Sequence, residues 1–280
     1  DPWGKQISWK TLNHAQIINR LHDPRFKVRE RAIVECTKRG NAIVPTLKQV
    51  LQPPHLQASR NAIWALTRIA GVKHNPPAQA AIRTALKHRS ASIRLTACRS
   101  IATYPDPAAL PTLLQIIKED DAPVRREAAK ALGRIGDASA VPALLTALSK
   151  NIDRSEEHAL IYALIEIDAP DATSQLLALK DFPTSTTAQS PQASQRIRGG
   201  LIAMEQIKPG ELTAESVLPL LNASHPPLRL TALEIAQRHP DWSKQALDSL
   251  KPWLNNDTVR KQRSQVATGL LSSHLNDKSF

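Results

Sequence analysis

The chain has few aromatic residues, only two cysteines, and no run of about 18 apolar residues such as a membrane-spanning helix needs. Without a C-x-x-C pair, it offers no structural zinc knuckle and no attachment point for a c-type haem. It contains no H-E-x-x-H, no His-Glu dipeptide, no Gly-rich phosphate loop and no Ser/His/Asp spacing. These absences remove the common motif-borne chemistries of metalloproteases, nucleotide binders and serine hydrolases. The only methionine is Met204. The chain is therefore expected to begin inside a longer precursor, and the absent signal peptide says nothing about where that precursor goes. Cys36 and Cys98 fall in first-helix patterns of different units, where two small buried side chains are expected.

What is present is helical periodicity. In the stretch Glu119–Leu148, Val124, Ala128, Ala131, Leu132 and Ile135 recur at three- and four-residue steps, one face of a helix. Asp121 stands where a cap belongs, Pro123 sits in the first turn, and Gly136 follows as a stop. Val141, Leu144, Leu145 and Leu148 form a second apolar face. Neither helix buries its face alone, so the pair needs neighbours of its own kind.

The neighbours are marked by an arginine that follows an apolar residue, at Arg29, Arg94, Arg125, Arg229 and Arg260. Arg94 to Arg125, Arg198 to Arg229 and Arg229 to Arg260 are each 31 residues. In the second unit Arg60 stands one step away from the usual place. A fixed period of this size with two helices per unit signals a stacked helical array. The run V-R-x-x-A-x-x-A-L-G-x-I-G-D-x-x-A-V-P-A-L resembles the short HEAT-like repeat. The expected fold is all-α, a right-handed α-solenoid of about seven HEAT-like pairs. Residues 1–11 are expected to be a linker or cap, and 12–280 the solenoid. The Ser/Thr/Gln/Pro-rich segment 181–195 has too little apolar surface to order itself and is expected to be a mobile insertion. Trp3, Ile7 and Trp9 in the linker either cover the first repeat or pack on a preceding domain.

Charge is unevenly placed. Residues 1–110 carry 18 Lys+Arg against 5 Asp+Glu, a net of +13, and the remainder carries a net of −1. Apolar residues are 41% and mean hydropathy is −0.31, which fits a folded chain with a water-facing surface. The basic first third suggests a partner with an acidic face, or simply a solvated surface.

Two constellations are candidate sites. The first is the recurring arginine (Arg29, Arg60, Arg94, Arg125), placed either to ladder adjacent units through Asp23, Asp121 or Asn256, or to touch a partner. The second is Glu156, Glu157, His158 and Tyr162 in the fifth unit, where the usual Val-Arg is missing. It reads as a structural polar cluster, a docking site, or an acid–base or metal site lacking a second histidine within reach. Nucleic acid is disfavoured, because the basic third has few aromatics for stacking and few carboxylates for base chemistry. The other histidines are scattered at helix ends and loops.

Several details outside the repeat resemble one family: DPWGKQISWKTL, LHDPRFKVRERAI, EEHALIYALIEI, LTAESVLPLL and RHPDW. Together they are similar to the helical-repeat segment of large multi-domain haem-binding proteins of planctomycetes and verrucomicrobia. In that family a sugar-dehydrogenase-like β-propeller precedes the repeats and a cytochrome domain with C-x-x-C-H follows. The resemblance implies a middle piece that is not itself an enzyme and holds no cofactor, within an oxidoreductase parent that carries c-type haem outside the cytoplasm. It implies a scaffold that docks flanking redox domains or a partner protein. A freestanding nucleic-acid binder and a lyase- or hydroxylase-like HEAT enzyme are the alternatives.

Overall fold

The computed structural model describes residues 1–52, 55–72, 75–177, 190–254, 264, 266–270 and 272. Among the described residues there is no strand. Two compact units, Asp1–Ala140 and Val141–Phe280, divide the chain.

The first unit contains α1 (His14–Asn19), α2 (Phe26–Arg39), α3 (Val44–Val50), α4 (Leu56–Val72), α5 (Pro76–Ala85), α6 (Ala91–Thr103), α7 (Leu110–Glu119) and α8 (Ala122–Ile135). From α2 on, the helices alternate as first and second members of pairs. First helices stack on first helices, α2 on α4, α4 on α6 and α6 on α8. The residues that allow this are small. Ala32, Ala62, Ala65, Ala97, Ala128 and Ala131 are fully buried, which lets backbones approach closely. Leu47, Ile82 and Leu113 come from the second helices and fill the layer between. This is the stacked-pair arrangement of an α-solenoid.

The second unit contains α9 (Val141–Leu148), α10 (Arg154–Ile167), α11 (Pro170–Leu177), α12 (Pro191–Ile207), α13 (Ala214–Val217), α14 (Pro226–Gln237) and α15 (Ser243–Leu254). The same rule holds, with α10 on α12 and α12 on α14. A Cβ at Gly199 in α12 would meet Leu148 Cδ1 at 2.7 Å and Ile161 Cγ1 at 3.4 Å. The glycine is what lets α12 sit against α9 and α10.

Local signals explain most helix ends. Pro stands in the first turn of α3, α5, α7, α8, α12 and α14, where no intrahelical partner for its N–H is needed. Gly136 ends α8 at φ +74, the left-handed conformation that suits a glycine. Asn13 and Gln16 form a reciprocal capping box on α1, which the apolar pattern alone does not reveal.

Two expectations change. Asp121 occupies the N-cap position of α8, but its side chain makes no cap hydrogen bond. The segment 181–195 is helical at its end: Ser190 Oγ accepts from the Ala193 N–H, and residues 191–195 open α12, where Ser194 is fully buried. Residues 181–189 lie outside the described residues. The stretch LTAESVLPLL holds one α-turn, α13, followed by a 3₁₀ segment, Leu218–Asn222. Near the end of the chain, the described residues between 264 and 272 are helical.

Candidate functional site

The recurring arginine has one job in four places. Arg29, Arg94, Arg125 and Arg229 are each the fourth residue of their helix. A helical side chain leans toward the N-terminus, so each guanidinium folds back over the turn before its own helix. Arg29 Nη1 donates to the carbonyls of Asp23 (2.8 Å) and Pro24 (2.9 Å). Arg94 Nη1 donates to those of His88 (2.8 Å) and Arg89 (3.1 Å). Arg229 Nη1 donates to Ala223 (2.8 Å) and Ser224 (3.1 Å), and Arg125 Nη1 to Asp120 (2.5 Å). The motif clamps the turn between pairs, satisfying carbonyls that no helix satisfies.

Within the first unit, further side-chain contacts couple neighbouring helices. Arg94 uses Nε and Nη2 on both oxygens of Asp120, at 2.6 and 2.5 Å, and reaches Asp121 at 3.8 Å. Arg99 pairs with Glu127 at 3.2 Å, joining α6 to α8. Thr67 and Ser100 share a buried hydrogen bond of 2.7 Å between α4 and α6. Arg60 bonds Gln57 (2.8 Å) and reaches Ser92 of α6 at 3.4 Å. Asp23 is taken by Arg25 and Arg20, not by Arg29 side chain to side chain. The expected arginine ladder is thus a set of clamps, to which Arg94 adds a carboxylate contact within the first unit. Asn256 and Arg260 lie outside the described residues. Sequence reasoning missed Asp120 and Glu127; the available signal was an acid 26 to 28 residues after a first-helix arginine.

The charges respond. The Arg25 hydrogen bond holds the Asp23 carboxyl well below the ordinary carboxylate range. Burial pushes Asp120 up, but the Arg94 hydrogen bonds outweigh it and leave the carboxyl below its usual value.

In the second unit the four candidate residues diverge. Glu156 is buried, on the same face as Leu160, Ala163 and Leu164. Glu157 pairs with Arg198 of α12. His158 and Tyr162 are exposed and stack on one another at 6.3 Å. They do not form one acid–base or metal site. Nearby, burial and then Arg198 and Arg229 lower the pKa of His225.

Neither cysteine suits haem or a nucleophile. Both are buried free thiols, pushed up to about 12 by desolvation. Among the described residues no group of three or more His, Cys, Asp or Glu is placed to hold a metal ion. No described helix is long and apolar enough to cross a membrane.

A family model described as HEAT repeats matches residues 78–165. No curated protein matches. Among solved structures, the chain is similar to the CpcE–CpcF complex of phycocyanin lyase from Nostoc sp. PCC7120, at 18% identity and TM-score 0.44, over 86% of this chain and 93% of that one. A designed armadillo repeat protein is similar at 15% identity and TM-score 0.42, over 70% of this chain and all of its own. An engineered protein gives 16% identity and TM-score 0.32, over 94% and 98%. These likenesses bear on neither substrate nor partner.

Proposed function

We propose that this chain is a non-catalytic helical-repeat scaffold that docks a protein partner or flanking domain with an acidic face. The observation that carries the reading is the charge division. Residues 1–140 hold 23 Lys+Arg against 10 Asp+Glu, and residues 141–280 hold 14 against 15. Internal pairing leaves much of that excess outward. Lys48, Arg68, Lys87 and Arg89 are exposed and have no side-chain partner among the described residues. A one-signed surface of this kind raises encounter rates with an opposite charge. Arg29, Arg94 and Arg125 hold the turns, Arg60 bonds Gln57 and Ser92, and all four add their residual charge to the same unit. His158 and Tyr162 are the outward pair on the second unit.

The wider context rests on the family resemblance. In it the scaffold lies within a haem-binding dehydrogenase-like protein outside the cytoplasm, and the redox chemistry belongs to flanking domains. The two buried thiols of this chain do not fit covalent haem.

A poly-glutamate peptide of about ten residues tests the docking. It is expected to bind this chain with an affinity that falls several-fold on adding salt and on Lys87→Glu with Arg89→Glu. Affinity indifferent to both contradicts the reading. For the context, the natural full-length protein is expected to have a mass far above 30.8 kDa and a reduced c-type haem spectrum. A native mass near 30.8 kDa without haem contradicts it.

A further inference from the structure

The first nine residues do not merely cover the first repeat. Asp1 accepts from the N–H groups of Lys5 and Gln6, both at 2.9 Å, and its carbonyl accepts from Arg25 Nη1 at 3.0 Å. Gly4 sits at φ +64, and a Cβ there would meet Val28 Cγ2 at 2.8 Å. The segment is thus pinned to α2 on both sides of Trp3. Yet Trp3 stays 61% exposed, and Phe26, at the start of α2, is 63% exposed. Lys27 Nζ is within reach of both, 5.9 Å from the Trp3 ring centroid and 5.5 Å from that of Phe26. The Arg29 guanidinium is 5.7 Å from Phe26.

Two rings left open and held in place by the fold make an unusual surface. Apolar area exposed singly is ordinary, but adjacent large aromatics interleaved with cations have the composition of an interface hot spot. Holding the rings before a partner arrives removes part of the ordering cost of binding. We infer that the Trp3–Phe26 face is a preformed docking site for a protein segment that carries an apolar anchor flanked by carboxylates. The inference deepens the scaffold reading and rests on it. Charge complementarity selects the occupant. The face lies in the unit with the net positive charge, with the exposed Lys5 and Lys10 on the segment that forms it. A protein segment fits better than single-stranded nucleic acid. Lys27 is already paired with Glu30 at 2.9 Å and Arg25 with Asp23 at 2.9 Å, so little charge remains here for a run of phosphates. The open ring area is the larger resource.

The test is a selection from a random library of peptides of about 12 residues displayed on phage, against the whole chain, followed by titration of the enriched peptides. They are expected to carry Trp, Phe or Leu with Asp or Glu within about three residues, and to bind Trp3→Ser/Phe26→Ser at least about tenfold more weakly. Trp3→Phe is expected to restore binding, and circular dichroism of each variant should match the parent, since both side chains lie outside the core. Four results overturn the inference. They are no enrichment, enriched peptides that bind the double variant equally, tighter binding of a thymidine oligonucleotide through the same rings, or self-association of the chain that the double variant abolishes. Loss of this face with retained Lys87- and Arg89-dependent binding of poly-glutamate removes the inference and leaves the scaffold reading. Loss of both removes both.

Discussion

Asp120→Ala is expected to loosen the joint between α6 and the α7–α8 turn by about 2–3 kcal/mol. The bounds come from two limits: exposed ion pairs contribute about 0–1 kcal/mol, and removing one partner of a buried pair costs about 3–5 kcal/mol. Here the side chains are 19% (Arg94) and 8% (Asp120) exposed, close to the buried limit, and the contact is bidentate. Against that, Arg94 keeps two backbone carbonyls through Nη1, so its charge is not stranded. The estimate therefore falls below the buried limit. Asp120→Asn retains one acceptor and is expected to cost about 1 kcal/mol. The assay is urea unfolding of Asp120→Ala, Arg94→Ala and the double variant, read as a cycle. A coupling energy above about 1 kcal/mol is expected. The exposed pair Arg31–Glu35, whose arginine is 53% exposed, serves as control and should couple by no more than about 0.5 kcal/mol. If the Arg94–Asp120 coupling is as small as the control, the reasoning from burial and bidentate geometry is wrong.

Other consequences follow from the same contacts. Gly199→Val should destabilise the second unit by about 1–3 kcal/mol through overpacking, and Leu148→Ala, which removes the nearest methyls, should recover part of that loss in thermal melts. Asp23 and Asp120 both have lowered native pKa values, so their stabilisation is complete above the ordinary carboxylate pKa of about 4 and is lost as pH falls through the native values. Between about pH 6 and pH 2 the urea midpoint of Asp23→Asn/Asp120→Asn should therefore fall less steeply than that of the parent, and equal slopes would refute the assignment. Cys36 and Cys98 should stay unlabelled by a thiol reagent at neutral pH until the chain unfolds, because each is buried and held protonated. Rapid labelling of folded protein would contradict the core described.

The helices were legible because burial and period coincide. Val124, Ala128, Ala131 and Leu132 read as one stripe and are buried as one stripe. Proline in first turns and Gly136 marked boundaries that the structure keeps within a few residues. The arginine period was equally legible, but its use was not. Spacing says that Arg29, Arg94, Arg125 and Arg229 repeat; only the backward lean of a helical side chain says that they grip the preceding turn. The position of Glu156 was readable in principle, four residues before Leu160 on the buried face, whereas Glu157 turns toward Arg198 of another helix 41 residues on. The partners Asp120 and Glu127 escaped notice because an acid in a turn or on a helix face has many readings until its neighbour is known. Phe26 escaped because it lies off the stripe of Val28, Ala32 and Cys36, where an aromatic carries no packing signal.

The most direct test of the docking claim is zero-length carboxyl–amine cross-linking of the natural full-length protein, mapped by mass spectrometry. The account predicts that Lys5, Lys10, Lys48 and Lys87 of the first unit join carboxylates outside residues 1–280 or on a partner protein. Cross-links confined to Lys150, Lys208, Lys244 and Lys251 of the second unit, or none reaching beyond this chain, would contradict it.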